Sequence, residues 1–285
     1  MVLDLYISMT NTLRRITLVC LLIVLCEFVV SGKEWRSIVP LKSTRADVER
    51  ILGAPQKTSF SSAYYSLPGE IVVVDYQVGK CEDHCGLGWN VREGTVVAVG
   101  VIPKGNHRKE EYLTAGNFNV SNESTGLVYY TNAAEGLSIE TYKSVVTLVD
   151  YYPSASEETL RCLQPKDCIV DLFTRFDEYG KLPFADEKAR LDNYSIQLNA
   201  TVGRGGIEVR GPNKKERAAL LKSAARAKAY LVTRLEIEPE RILIFDGGYS
   251  PVSFTRLSLY AIGGFGSAIY FSPEPDPVSR PAKKR

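Results

Sequence analysis

The stretch from Lys214 to Thr233, KKERAALLKSAARAKAYLVT, decides how the second half of this chain is read. Ala218, Leu221, Ala225, Ala229 and Val232 recur at helical spacing, and Leu220, Ala224, Ala227 and Leu231 form a second stripe beside them. So broad an apolar face predicts a helix pressed onto a sheet. Working outward, Glu238-Pro239 closes the helix connection, Arg241 to Phe245 reads as a strand, Gly247-Gly248 as a turn and Phe254 to Ile262 as a final strand. On the other side lie Gly205-Gly206 and the short strand Ile207-Glu208-Val209. Before them, Phe184, Leu191, Tyr194 and Leu198 recur at helical spacing, and Ile169 to Phe173 is strand-like. The order is strand, helix, strand, helix, strand, strand.

The first half has a different texture. Thr44 and Asp47 have capping-box spacing, Val48, Ile51 and Leu52 form an apolar face, Gly53 supplies a stop and Pro55 forbids continuation, which predicts a short helix. Strand signals follow at Ser62 to Ser66, Ile71 to Tyr76, Val96 to Ile102, Leu127 to Thr131, Leu137 to Tyr142 and Val145 to Tyr152. Turn residues such as Pro68-Gly69 and Glu135-Gly136 separate them, suggesting an antiparallel meander packed on that helix.

At the start of the chain, Arg14-Arg15 precede the apolar run Ile16 to Val30, which ends at Val30-Ser31-Gly32. Charged residues, an apolar stretch and small residues in that order make a signal peptide, cut after Gly32. The alternative is an uncleaved anchor, but the run is 15 residues long and contains Glu27, where a spanning helix wants about 20 apolar residues. Cys20 and Cys26 follow Val19 and Leu25, where a lipidation motif wants a small residue. Composition, at 45% hydrophobic and 24% charged over 285 residues, suits a folded chain of two domains. Lys+Arg is 35 against Asp+Glu 33, so the concentrated basic surface that nucleic-acid binding needs is missing. The proline-rich segment 272–285 reads as a disordered tail.

Removing the leader leaves four cysteines, Cys81, Cys85, Cys162 and Cys168, an even number that suits two disulfides in an oxidising compartment. The two local loops, Cys81 to Cys85 and Cys162 to Cys168, are the simplest pairing, and a Cys81 to Cys162 bridge is an alternative. Cys81-Glu82-Asp83-His84-Cys85 resembles half a zinc site, but no second ligand pair stands at a familiar spacing, and no metal is expected. Histidines number two, His84 and His107. No Ser/His/Asp set assembles from them, and a Cys–His pair of Cys85 or Cys81 with His107 competes with disulfide formation. Gly203-Arg204-Gly205-Gly206 and Gly263-Gly264-Phe265-Gly266 lack the lysine and the strand-to-helix setting of a phosphate loop. The chain reads as a non-enzyme without a cofactor.

Two resemblances sharpen this. Pro40 to Pro55, PLKSTRADVERILGAP, looks like the helix and turn of the SmpA/BamE family of small outer-membrane lipoproteins, which implies a non-enzymatic role in envelope assembly. Leu172-Phe173-Thr174-Arg175-Phe176-Asp177, Leu191 to Leu198, Ile207 to Gly211, Ser223 to Leu231 and Ile237 to Ile242 together resemble the OmpA-like C-terminal domain. That resemblance implies noncovalent binding of peptidoglycan through its diaminopimelate stem. In that family a helix arginine pairs with a ligand carboxylate, and Arg226 corresponds to it; a planar, permanently charged guanidinium suits the task. The family's Asp after the glycine matched by Gly211 is absent, since Pro212-Asn213-Lys214-Lys215 follow, and Asn213 would offer a neutral hydrogen bond in its place.

The expectation is therefore an α+β protein with an N-terminal helix packed on an antiparallel sheet, followed by a βαβαββ OmpA-like sandwich domain. Its parts are a signal peptide (1–32), an SmpA/BamE-like domain (33–160), an OmpA-like domain (167–263) and the tail (272–285). Arg226, Asp192 and Asn193 are the candidate ligand residues. The expected location is periplasmic or secreted, with association to the outer membrane as a further option. Peptidoglycan or another envelope protein is the expected partner, the latter if the domain serves as an interaction scaffold. Membrane contact is expected only through an uncleaved leader.

Overall fold

The computed structural model describes residues 32–59, 61–81, 88–113, 116–122, 126–163 and 173–260. Eight strands build one antiparallel sheet: β1 (Lys57–Thr58), β2 (Ser62–Ser66), β3 (Glu70–Tyr76), β4 (Val96–Pro103), β5 (Asn119–Asn122), β6 (Leu127–Asn132), β7 (Leu137–Tyr142) and β8 (Val145–Tyr151). Their spatial order is β1-β2-β3-β4-β8-β7-β6-β5. Two meanders thus lie side by side, joined where β4 pairs with β8. The central runs Ile71-Val72-Val73-Val74 and Val96-Val97-Ala98-Val99 are buried throughout. Covered on both faces, they read as unbroken apolar stretches and lose the alternation of a half-exposed strand. One face carries Ala63, Tyr65, Val72, Val74, Leu137 and Ile139 and packs against Trp35 and Ile38 of the preceding segment; the other carries Tyr64, Ile71, Val73, Ile102 and Leu148.

Helix α1 (Arg45–Leu52) has the capping box that its sequence announces, with Asp47 N donating to Thr44 Oγ1 and Thr44 N to Asp47 Oδ2. Gly53, at φ 82°, ends it. Of the expected apolar face, Val48 alone is fully buried, and Ile51 is 39% exposed.

A second sheet contains β9 (Phe173–Tyr179), β10 (Arg204–Gly211), β11 (Ile242–Tyr249) and β12 (Phe254–Tyr260), in the order β11-β10-β12-β9. The β10–β11 pair is parallel, and the others are antiparallel. Helices α2 (Phe184–Ala200) and α3 (Lys214–Arg234) connect β9 to β10 and β10 to β11. Leu191, Tyr194 and Leu198 from α2 pack with Ala224, Ala227 and Leu231 from α3 over Ile207, Val209, Ile242 and Leu257. The buried stripe of α3 is thus the second of the two that its sequence displays; Ala225 and Ala229 are exposed.

These findings correct the expected fold class. In place of an N-terminal helix packed on an antiparallel sheet and a βαβαββ sandwich domain, the described residues are sheet-rich: a large eight-stranded antiparallel sheet and a mixed four-stranded one carrying α2 and α3. The helix expected to anchor the first part supplies one buried side chain to a core made by strands. The two outer strands, β1 and β5, are short and polar; β5 is exposed along its whole length, so hydrogen bonding to β6 organises it without an apolar pattern to signal it. Gly247-Gly248, expected as a turn, lies inside β11. A Cβ on Gly247 would stand 2.1 Å from Glu208 Oε1, so the glycine makes room for that carboxylate.

The two sheets meet through polar groups. Arg204 of β10 donates to both carboxylate oxygens of Glu140 on β7, at 2.8 and 3.0 Å, and Thr147 Oγ1 adds 2.6 Å to the same carboxylate. Side-chain exposure is 3% for Arg204 and 6% for Glu140. Burial pushes the Glu140 carboxyl up, but the Arg204 charge and the hydrogen bonds from Arg204, Thr147 and Tyr129 outweigh it and hold it below the ordinary carboxylate range. Arg241, fully buried, donates to Leu198 O, Thr201 O and Gly203 O at the end of α2, where carbonyl ends favour a cation.

Cys81 and Cys162 form a disulfide across a sequence separation of 81. This is the long alternative and not the local pairing of either cysteine; Cys85 and Cys168 lie outside the described residues. Cys162 N donates to Gly88 O, and the Arg161 guanidinium lies 5.0 Å over the Trp89 ring. The bond is compatible with an extracytoplasmic location. Among the described residues no helix is long and apolar enough to cross a membrane.

Candidate functional site

The outward faces of α2 and α3 carry a compact group of charged and aromatic side chains. Phe184, Lys188 and Asp192 are spaced by four along α2, and Arg226 and Tyr230 by four along α3, so each set rises one above another on its helix. The helices are held together by their buried stripes, which brings the two rows into contact. The Arg226 guanidinium lies 4.1 Å over the Phe184 ring, and its Nη2 donates to Glu187 Oε2 at 2.9 Å. One turn further on, Tyr230 donates its hydroxyl to Asp192 Oδ1 at 2.8 Å. Between them the Lys188 ammonium sits 5.0 Å from the Phe184 centroid and 5.6 Å from that of Tyr230, whose rings meet edge to face at 6.0 Å.

The group has two levels. Glu187 is 4% exposed and also accepts from the Tyr179 hydroxyl at 3.1 Å; burial first, then this carboxylate, pushes the Tyr179 pKa up. Arg226 stands above it with its side chain 47% exposed. The Glu187 contact uses one guanidinium nitrogen, and the Tyr230 contact uses one Asp192 oxygen. A half-exposed guanidinium and a carboxylate are therefore presented on one face with aromatic rings between them, Arg226 over Phe184, and Asp192 eight residues further along α2 at Tyr230.

No family model matches this chain, and no curated protein or solved structure matches it significantly.

The three expected ligand residues fall out unequally. Arg226 and Asp192 belong to the group, linked through the Phe184 and Tyr230 rings. Asn193 is exposed but follows Asp192 by one residue, which turns it away from the cluster's row. The Gly211 loop, where the resemblance expects an acid, is committed to structure. Asn213 Oδ1 accepts from Glu216 N at 3.0 Å and caps α3, and Arg217 pairs with Asp246 at 2.9 Å. Phe184 was read from sequence only as part of an apolar helical spacing, and Glu187, Lys188 and Tyr230 were not named as site residues; the i, i+4 rows of Phe184-Lys188-Asp192 and Arg226-Tyr230 are the signal that finds Phe184, Lys188 and Tyr230, while Glu187 lies off both rows.

Cys81 is bonded to Cys162, so it is no thiolate nucleophile for His107, whose Nδ1 lies 3.0 Å from Glu111 Oε2 beside a short 3-10 turn. His84 lies outside the described residues. Among the described residues no group of three His, Cys, Asp or Glu is placed to hold a metal ion.

Proposed function

We propose that this chain is an exported cell-envelope protein that binds peptidoglycan noncovalently, holding a zwitterionic stem-peptide end on the α2–α3 face. The observation that carries this reading is the placing on one face of a half-exposed Arg226, over Phe184, and of Asp192, at the Tyr230 hydroxyl. A diaminopimelate end offers a carboxylate and an ammonium on one carbon. Arg226 takes the carboxylate with its remaining donors, and Asp192 takes the ammonium in place of the acid missing after Gly211. Charge-assisted contacts of this kind contribute about 1.5–3 kcal/mol each when made. The Arg226–Glu187 contact competes for one nitrogen, so affinity is expected to be modest.

A second reading, an envelope interaction scaffold, draws on β5. This edge strand is exposed throughout, with Val120 57% exposed, and a free edge is a template for strand addition by a partner. Co-sedimentation of the mature protein with peptidoglycan sacculi separates the two. Binding that Arg226→Ala abolishes supports the cell-wall reading, and absence of the native protein from the pellet favours the scaffold.

A further inference from the structure

We propose that export processing cuts the Ser31–Gly32 bond, so that Gly32 begins the mature chain and its α-ammonium fills a buried pocket at Glu157. This rests on the leader being removed, and it places the cut one residue before the position suggested by the leader's small residues.

Gly32 N lies 3.1 Å from Glu157 Oε2, and Gly32 is buried while Lys33 and Glu34 are exposed. The carboxylate's residue is 7% exposed, and its other donors are the Ser154 N–H at 2.8 Å and the Ser154 hydroxyl at 3.0 Å. Every one of these donors is neutral. A carboxylate taken out of water without an opposite charge is costly, and hydrolysis at this bond supplies that charge. Water adds its hydroxyl to the Ser31 carbonyl carbon, the C–N bond breaks, and the Gly32 nitrogen leaves as an amine that is protonated at neutral pH. A signal peptidase is the catalyst, and Ser31 gives it the small residue it needs before the cut.

The pocket fits this residue and not the next. A Cβ on Gly32 would stand 2.7 Å from Tyr152 O and 3.3 Å from Ser154 N, so the slot admits a glycine. Lys33 is committed elsewhere: its N–H donates to Glu135 O at 2.6 Å and its ammonium lies 3.1 Å from Glu135 Oε2. A chain starting at Lys33 would leave Glu157 with donors from Ser154 alone.

The test is intact mass and N-terminal sequencing of the full chain after secretion from an export-competent cell. The expected first residue is Gly32. A chain beginning at Lys33 or elsewhere overturns the proposal while leaving export standing, and a retained leader overturns both. Amine acylation near neutral pH reads the pocket itself. Pairing that raises the α-amine pKa by about one unit slows its labelling about tenfold relative to Glu157→Gln, because the unprotonated fraction falls by that factor. The same protein unfolded in urea is the reference if that variant does not fold. Equal rates overturn the pairing.

Discussion

Replacing Glu140 with Gln tests how the two sheets are joined. The substitution keeps the side chain's shape but removes the charge that receives two Arg204 nitrogens at 2.8 and 3.0 Å. Arg204 is 3% exposed, so its charge cannot turn to water. Stranding one member of a buried pair costs about 3–5 kcal/mol, whereas an exposed pair is worth about 0–1. Domains of ordinary stability have about 5–15 kcal/mol in total. With a urea slope of about 2–3 kcal/mol per molar, the unfolding midpoint falls by about 1–2.5 M. Urea titration followed by tryptophan fluorescence reads this, since Trp35 and Trp89 are both buried. The double variant Glu140→Met with Arg204→Met is expected to regain most of the loss, because nothing charged is left buried. A single-variant change below about 1 kcal/mol, or a double variant no better than the single, would refute the reasoning. The pair also sets an acid limit. The Glu140 pKa is depressed in the fold, so its stabilisation is present above the unfolded value of about 4.3 and is lost as pH falls through the folded one.

Asp75 gives the opposite slope. Burial pushes its carboxyl up to about 7, Ser62 partly offsets this, and Asp150 adds to the rise. Between about pH 4 and 7 the unfolded chain has released this proton and the fold still holds it, so the contribution falls as pH rises, by up to about 4 kcal/mol. Asp75→Asn is therefore expected to raise the melting temperature at pH 8 more than at pH 5, and an equal effect at both would count against it. Replacing Cys81 and Cys162 with Ser removes a closed loop worth about 4.5 kcal/mol in the chain-entropy model. Thermal unfolding of that variant beside the oxidised wild type measures the loss, and an unchanged midpoint would show that the bridge constrains little.

Much of the arrangement was written in local patterns, and the rest arises from contacts the chain makes at a distance. The α3 helix is legible because Ala and Leu recur over 20 residues, yet the choice between its two stripes depends on where α2 lands. The strands β3 and β4 announce themselves through Val and Ile. The polar strands β1 and β5 carry no such mark and exist because a neighbour offers an edge, which is why six strands were expected where eight stand among the described residues. Gly247-Gly248 looks like a turn by composition but serves the Glu208 carboxylate. Within the candidate site, Arg226 was reached through a resemblance and Asp192 through its neighbourhood. Glu187, which holds Arg226, and the Tyr230 contact to Asp192 emerge only when the two helices are set side by side.

The central claim is that Arg226 and Asp192 form one zwitterion-binding face. Isothermal titration of the mature protein with a stem peptide bearing a free diaminopimelate end tests it most directly. The account predicts saturable binding that weakens about tenfold or more, at least 1.4 kcal/mol, both in Arg226→Ala and when the peptide's ammonium is acetylated. Absence of binding, or binding indifferent to both changes, would contradict it.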